Sequence, residues 1–516
     1  MIEHAPILIV AVPLLGVFFT PLVGMISSRA RDVFVTIISA LTVLMVCLTG
    51  YALISNDYRP IVYTLGAKAP IPEIYTIPVR ILLEIDGLNF LIALIVSVLV
   101  LLAIIYSRSY MSKDTGLDKY YTLVLLLLVG LLGMAITGDI FNIFVFLEIS
   151  AISSYALTAF RKDRSEAVEA AFKYMVVGSI ASLFILLGAT LFYGEYGTLT
   201  MALLADRMQG GATSVATVAL AFFIVGFVLK GGAVPLHMWV ADAYSAAPSS
   251  ISMLFAGISS KVGVYALLRV VFTIYGLSIN EVTIGWLVIA FALVTMFVGT
   301  SMALVQYDFK RLLAYSSISQ IGYVFLGVGI GLAVIKSDFS LAVASINGGV
   351  FHLINHAMFT ALLFAIAGIV WRQVGTRNMI GMGGLARNMP FTTICFIIGA
   401  ASYVGLPPSN GFASKWMIYE ASAAYNPILT IVAIAASLMT FGVYAKVFHA
   451  VFLGRRPEGL EKVEEAPRSM LLPPIILAIL CVIMGILPSL VISTLIQPAT
   501  GAMVNQLSYI QAVLGS

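Results

Sequence analysis

The chain has 516 residues, of which 61% are hydrophobic and only 10% charged, with a formal charge of +4. So little charge cannot clothe a water-soluble surface of this size. The composition therefore excludes a soluble globular protein and predicts an all-α polytopic membrane protein in contact with a lipid bilayer. The charge by itself says little about partners; no nucleic acid is expected among them.

In chain order, apolar runs of about 20 residues predict fourteen spans, near 6–26, 32–54, 85–106, 119–137, 140–160, 167–192, 213–240, 249–275, 282–305, 311–335, 340–371, 391–423, 427–453 and 470–494. The first run, Pro6 to Ile26, lacks a basic region ahead of it and reads as a first transmembrane helix, not a cleavable signal. Helical period orients these spans poorly, because they are apolar nearly all round. The three cysteines, Cys47, Cys395 and Cys481, fall in different spans. They are too scattered for an iron–sulfur or zinc site, and buried packing is their expected role.

Alternate loops divide the cations unevenly. One set of loops carries 17 Lys and Arg residues; the other set, with both termini, carries Arg59, Lys68, Arg80, Arg207 and Lys336. The positive-inside rule places the first set in the cytoplasm and both termini outside a cell membrane. Six cations remain, Lys173, Lys230, Lys261, Arg269, Lys415 and Lys446, and all fall within predicted spans.

Two short echoes link the halves of the chain. Phe223-Ile-Val-Gly226 recurs as Phe396-Ile-Ile-Gly399, and Gly263-Val-Tyr-Ala266 as Gly442-Val-Tyr-Ala445, at offsets of 173 and 179 residues. Five spans separate spans 7 and 12, an odd number, so copies related in this way have opposite topology. The expectation is an inverted repeat of two five-helix units, spans 4–8 and 9–13, with broken helices at corresponding positions. The predicted divisions are 1–118 (helices 1–3), 119–275 (first repeat), 276–453 (second repeat) and 454–516 (loop, helix 14 and tail). Lys230-Gly-Gly-Ala-Val-Pro235 and Gly405-Leu-Pro-Pro-Ser-Asn-Gly411 interrupt spans 7 and 12. Proline there removes a backbone donor, and freed carbonyls need water or side chains of a polar cavity as partners. An ordinary proline kink is the plainer alternative.

A charge at membrane depth costs at least about 2.5–3.5 kcal/mol and marks ion pathways when it faces a polar interior. Glu148, Lys230 and Lys261 are the leading candidates by this argument. Glu148 and Lys230 are expected to hold each other's charge and to release a proton on separating. His352 and His356, four residues apart, share a helix face and suit a proton relay. Their sequence, His-Leu-Ile-Asn-His, lacks the glutamate of a zinc hydrolase helix. Lys415 follows the second break by seven residues. His237, just past the first break, and Asp139, near the outer end of its span, are weaker candidates. Arg269, Lys173 and Lys446 are expected at the interface. A membrane redox enzyme is a competing class, opposed by the lack of cysteine clusters and of histidine pairs on two helices for haem. A non-conducting scaffold is the other.

Taken in order, these residues resemble the antiporter-like membrane subunits shared by respiratory complex I, Mrp sodium/proton antiporters and membrane-bound hydrogenases. The most specific stretch is Tyr307-Asp-Phe-Lys-Arg-Leu-Leu-Ala-Tyr-Ser-Ser-Ile-Ser-Gln-Ile-Gly-Tyr323. Lys230 through Pro235, His237, Trp239 and Ala246-Ala-Pro-Ser-Ser250 also match. The resemblance implies roles for Glu148 on helix 5, Lys230 on broken helix 7, Lys261 on helix 8, His352 and His356 on helix 11, and Lys415 on helix 12. Together these form a hydrophilic axis that moves H+ or Na+ in steps. Gln320, where some relatives have histidine, points toward the Mrp-D branch, and an archaeal membrane-bound hydrogenase or a related respiratory complex is the nearest type. The resemblance also implies partner membrane subunits, including small Mrp-like ones and a redox module. Any iron–sulfur or nickel–iron centre is expected in those partners and none in this chain.

Overall fold

A computed structural model describes residues 4–66, 80–276 and 278–515. Lys68 lies outside the described residues. Two antiparallel helices, α1 (Ala5–Ile26) and α2 (Ser28–Ser55), lead into a hairpin, β1 (Ile61–Gly66) and β2 (Arg80–Ile85), with Ile61 opposite Ile85. Then follow α3 (Gly87–Tyr110), α4 (Leu117–Ile136), α5 (Ile140–Thr158), α6 (Ser165–Tyr196), the short α7 (Met201–Arg207), α8 (Ser214–Gly231) and α9 (Met238–Ala246). α10 (Ser249–Tyr275) is one long helix with π-helical turns at Phe255–Ser259 and Arg269–Tyr275. The second half comprises α11 (Glu281–Leu304), α12 (Phe309–Val334), α13 (Phe339–Val374), α14 (Pro390–Val404), α15 (Asn410–Tyr425) and α16 (Pro427–Leu453). It closes with α17 (Arg468–Ile486), α18 (Pro488–Val504) and α19 (Gln506–Leu514).

Among the described residues, 13 of these helices are long and apolar enough to cross a membrane. They coincide with thirteen of the predicted spans; the remaining one, 391–423, is the pair α14 and α15. Polar caps set the helix starts. Asp86, Asp139, Asp308 and Asp338 each accept backbone N–H groups at the first turns of α3, α5, α12 and α13. A carboxylate there satisfies otherwise unpaired donors and meets the positive end of the helix dipole.

Burial separates the helices into two classes. α12 and α13 are buried throughout their apolar stretch, and α10 nearly so, whereas α1, α2, α6, α11, α16 and α17 leave most of theirs partly or fully exposed. The exposed faces carry large apolar side chains such as Phe18, Leu183, Phe297 and Leu438, as lipid or apolar partner contact demands. α13 is the central rod, packed on α10, α12, α14, α15 and α17.

The basic loops gather on one face. Arg161 pairs with Asp114 (2.8 Å), and Arg377 with Glu166 (2.8 Å) and Asp308 (3.0 Å). Arg372 reaches the Tyr110 carbonyl at 2.6 Å. The hairpin lies at the opposite ends of the helices, beside Thr137 and Gly138.

Two expectations need correction. The last span stops at Ile486, short of 494, because Pro488 has no N–H to continue the helix and instead starts α18. Cys395 and Cys481 are buried, but Cys47 is exposed on the outward side of α2. Within the segment between spans 2 and 3, residues 61–66 and 80–85 pair as antiparallel strands.

Candidate functional site

Both predicted breaks are real interruptions of the helix ladder. α8 ends on Gly232, whose left-handed backbone (φ 74°) returns its N–H to Val228 at 3.0 Å. The freed Leu229 carbonyl accepts the Trp239 indole N–H at 3.0 Å, and the Val234 N–H finds Thr295 Oγ1 at 3.2 Å. α14 ends in the same manner on Gly405 (φ 88°), and Ser409 caps α15. An X–Pro bond is cis at each break, Val234–Pro235 and Pro407–Pro408.

The second break holds a cation. Lys415, buried on α15, turns its ammonium back to the end of α14, to the carbonyls of Tyr403 (2.8 Å) and Val404 (3.3 Å) and to Ser437 Oγ (3.2 Å). Unpaired carbonyls and the negative end of the α14 dipole suit that charge. Gly405 must be glycine twice over, for its positive φ and because a Cβ would stand 2.9 Å from Lys415 Cδ.

From Lys415 a row of polar groups crosses the protein. Its ammonium lies 4.3 Å from the centre of the Tyr323 ring, which is 5.5 Å from the His352 ring. His352 shares a hydrogen bond with Ser414 (3.0 Å), and its ring is 6.3 Å from that of His356. His356 Nε2 meets Lys261 Nζ at 3.3 Å and Ser317 Oγ at 3.3 Å. Lys261 also donates to the Ala256 carbonyl, inside the first π-helical turn of α10. Such turns release a carbonyl from the regular ladder, and here a lysine takes it.

At the other end, Lys230 lies on the last turn of α8, with its ammonium 6.0 Å from the centre of the Tyr155 ring. Glu148 is half-buried on α5, seven residues before Tyr155. It acts electrostatically on Lys230, but the two form no direct ion pair, and Glu148 Oε1 is buried without a partner. The polar interior is widely unsaturated by protein groups. Ser259 and Ser260 hydroxyls, both amide atoms of Gln320, Nε2 of His352 and Nδ1 of His356 are buried with no protein partner. Buried polar atoms require hydrogen bonds, so a hydrated row is the consistent state.

Of the sequence candidates, Lys261, His356, His352 and Lys415 come together in one contiguous row, and Glu148 and Lys230 form a looser pair at its end. His237 stands apart at the start of α9, its Nδ1 unpartnered. Asp139 caps α5 through the N–H groups of Phe141 (2.8 Å) and Asn142 (3.1 Å). Lys173 is exposed and bonded to Glu169 and Asp242, while Lys446 holds the carbonyls of Leu304 and Gln306 near the end of α11.

Arg269 contradicts its expected interfacial place. It is fully buried, paired with Asp86 and bonded to Asn89 and Thr273. A partner carboxylate 183 residues earlier, invisible to a local reading, makes that burial possible. Lys310 counts among the loop cations by sequence, yet it is buried and donates to the Ala247 carbonyl at 2.5 Å. Its place in the Tyr307–Tyr323 stretch is the signal that could have found it. Asn355 and Asn410 escape a reading based on charge; they bond across α13 and α15 beside the histidines, Asn410 Nδ2 to Asn355 Oδ1 at 3.0 Å.

The two histidines are poor metal ligands in this setting. One imidazole nitrogen already faces an ammonium, and among the described residues no group of three His, Cys, Asp or Glu side chains could hold a metal ion.

Residues 137–440 match the family described as NADH:quinone oxidoreductase/Mrp antiporter, TM, which is more than half of the chain. The chain belongs to this family. Residues 72–121 further match the complex I chain 5 N-terminus. The N-type subunit of NADH-quinone oxidoreductase from Desulforudis audaxviator is 34% identical, over 97% of this chain and 99% of the relative. The D-type Na(+)/H(+) antiporter subunit of Alkalihalophilus pseudofirmus is 33% identical, over 79% and 80%. Among solved structures, a chain of the membrane-bound sulfane sulfur reductase, an archaeal respiratory membrane complex, superposes with a TM-score of 0.86 at 32% identity, covering 99% of this chain and all of that one. This family member is thus an antiporter-like, multi-pass membrane subunit of the type found in Mrp, complex I and membrane-bound hydrogenase assemblies.

Proposed function

We propose that this subunit translocates protons along the row Glu148, Lys230, Lys261, His356, His352 and Lys415, driven by redox chemistry in partner subunits of a respiratory membrane complex. The contact that carries the reading is Lys261 Nζ to His356 Nε2, 3.3 Å, because it joins α10, in the predicted first repeat, to the rod α13 beside the second break. A buried ammonium facing an imidazole nitrogen is a proton donor facing an acceptor. Every group after Glu148 is cationic when protonated, so a proton on one raises the cost of charge on its neighbour and passes the charge along, and separation of Glu148 from Lys230 supplies the first proton. Protons suit this nitrogen-rich row better than sodium, which prefers a cage of oxygen ligands.

In this reading the partners include small Mrp-like subunits and the assembly is an archaeal membrane-bound hydrogenase-type complex; the family relationship and the 0.86 TM-score to a chain of an archaeal respiratory membrane complex support assembly with other membrane subunits. Iron–sulfur or nickel–iron centres then belong to those partners. In this reading the protein sits in the cell membrane with its basic loops in the cytoplasm. The hairpin and both termini then face outside, and residues 119–275 and 276–453 are inverted five-helix repeats, each broken at its proline. A stand-alone Mrp antiporter, with this chain as its D-type member, is the second reading, favoured by the similarity to the Alkalihalophilus protein over 79% of the chain.

The test uses the intact complex in liposomes. Lys230→Ala and Glu148→Ala should each reduce proton translocation at least about tenfold, with assembly preserved. Wild-type transport in both variants would overturn the mechanism. Iron–sulfur or nickel–iron subunits in the purified complex would favour the first reading, and their absence the second.

A further inference from the structure

A second polar branch leaves the central row at Lys261 and climbs α10 toward the hairpin face. Lys261, Tyr265 and Arg269 recur every four residues and so share one side of the helix. Tyr265 donates its hydroxyl proton to the Ala135 carbonyl (2.7 Å) and accepts from Arg269 Nε at 3.4 Å. Arg269 pairs with Asp86 and bonds to Asn89, and its guanidinium lies 5.7 Å from the centre of the Tyr509 ring. Tyr509, on α19, donates to Glu84 Oε2 at 2.5 Å. The branch therefore ends on a carboxylate of β2, close to the surface yet only 1% exposed.

Three observations set Glu84 apart from a structural acid. Its second oxygen, Oε1, is buried with no hydrogen-bond partner. Gly138 passes so close that a Cβ there would stand 2.2 Å from that oxygen, so the chain makes room for the carboxyl without bonding it. And a surface pocket lined by Tyr58, Asp86, Asn505, Ser508 and Tyr509 reaches the side chain whose hydroxyl bonds Oε2.

We infer that Glu84 is a proton-exchanging group that connects the central row, through α10, to the aqueous phase on the hairpin face. A proton arriving along the hydroxyls and hydrating water of the branch is taken up by the Glu84 carboxylate. It leaves to water at the surface pocket, which returns the carboxylate; no other bond changes. Arg269 does not block the passage, because Asp86 compensates its charge.

The groups facing Glu84 are Tyr509 from α19, Arg269 and Tyr265 from α10, Asp86 at the start of α3 and Asp139 at the start of α5. Burial raises its carboxyl to about 7, against the opposing pull of the Tyr509 hydroxyl and the Arg269 charge. It is therefore protonated below neutrality and ionised above, so that it both takes up and releases protons near pH 7.

The inference rests on translocation through the central row, and the two fail differently. In the reconstituted complex, Glu84→Gln keeps the bond to Tyr509 but holds no exchangeable acid proton, and transport should fall at least about tenfold. Infrared spectroscopy of the same samples should reveal a protonated-carboxyl band that is present at pH 6, lost by pH 8 and absent in Glu84→Gln. Tyr509→Phe removes the hydroxyl that favours the carboxylate and should move the loss of that band to higher pH. Wild-type transport in Glu84→Gln alongside loss in Lys230→Ala overturns the branch and leaves the row standing. Should Lys230→Ala also transport normally, the row has failed, and the infrared band decides on Glu84 alone: a titrating band assigned to it supports proton exchange there, and no band refutes it.

Discussion

Lys261 and Arg269 are both buried cations of α10, eight residues apart, and they are treated in opposite ways. Arg269 has a carboxylate partner, Asp86, and further bonds to Asn89, Thr273 and Tyr265. Lys261 has one carbonyl and one imidazole. A paired and hydrogen-bonded guanidinium is a fixed part of the fold, since its energy depends on the partner staying charged. An ammonium without a counter-ion can lose its proton without stranding anything. Pairing, more than burial, separates the charge that braces this protein from the charge that moves through it.

Substitution by methionine makes that contrast measurable. Arg269→Met leaves Asp86 buried and uncompensated, which should cost about 3–5 kcal/mol in thermal or chemical unfolding of the complex. Lys261→Met deletes a charge that had no counter-ion, so stability should hold or rise while proton transport is lost. Equal destabilisation by the two variants would break the comparison, because Lys261 would then be structural as well.

Much of this architecture is legible from the apolar runs alone. Thirteen helices stand where spans are expected, because a bilayer demands about 20 apolar residues per crossing whatever lies next to them. Both breaks are legible too, since Gly232–Pro235 and Gly405–Pro408 cannot continue a helix. What escapes is set by distant partners. Nothing near Arg269 reveals that Asp86 and Asn89 will meet it, and nothing near Lys310 reveals the Ala247 carbonyl. Lys415 stands out as a membrane charge, but its grip on the α14 carbonyls requires the fold of α15 back against them. The hairpin and the tail helices, short and half-polar, give no pattern strong enough to compete with their apolar neighbours, and the Glu84 cluster lies between them.

Lys415 occupies the middle ground of the comparison, a mobile-type charge with fixed contacts. Gly405→Ala would force a side chain into the left-handed region and against the lysine stem, for about 1–3 kcal/mol of lost stability. Transport should fall in parallel, because the lysine is displaced from the Tyr403 and Val404 carbonyls. A variant that loses stability yet transports at the wild-type rate would show that Lys415 serves the fold alone.

Asp139 gives a smaller and sharper separation. As the cap of α5 it needs an oxygen acceptor and not a charge, so Asp139→Asn should preserve both stability and transport. Asp139→Ala should cost about 0.5–2 kcal/mol by leaving the Phe141 and Asn142 N–H groups unpaired. Loss of transport in the asparagine variant would return Asp139 to the conducting row.

Lys173 is the smallest case and the control for the whole scheme. It falls within an apolar span like the five other span cations, yet half of its side chain is exposed and it bonds to Glu169 (2.7 Å) and Asp242 (3.2 Å). Exposed pairs gain little, since water screens the attraction and both side chains lose freedom. Arg311 also holds Asp242, at 2.7 Å, so that the acid keeps a partner when the lysine is removed. Lys173→Ala should therefore change neither unfolding nor transport. A clear loss of transport in this variant would mean that position within a span, not pairing or burial, identifies the conducting cations, and Lys261 and Arg269 would have to be distinguished on other grounds.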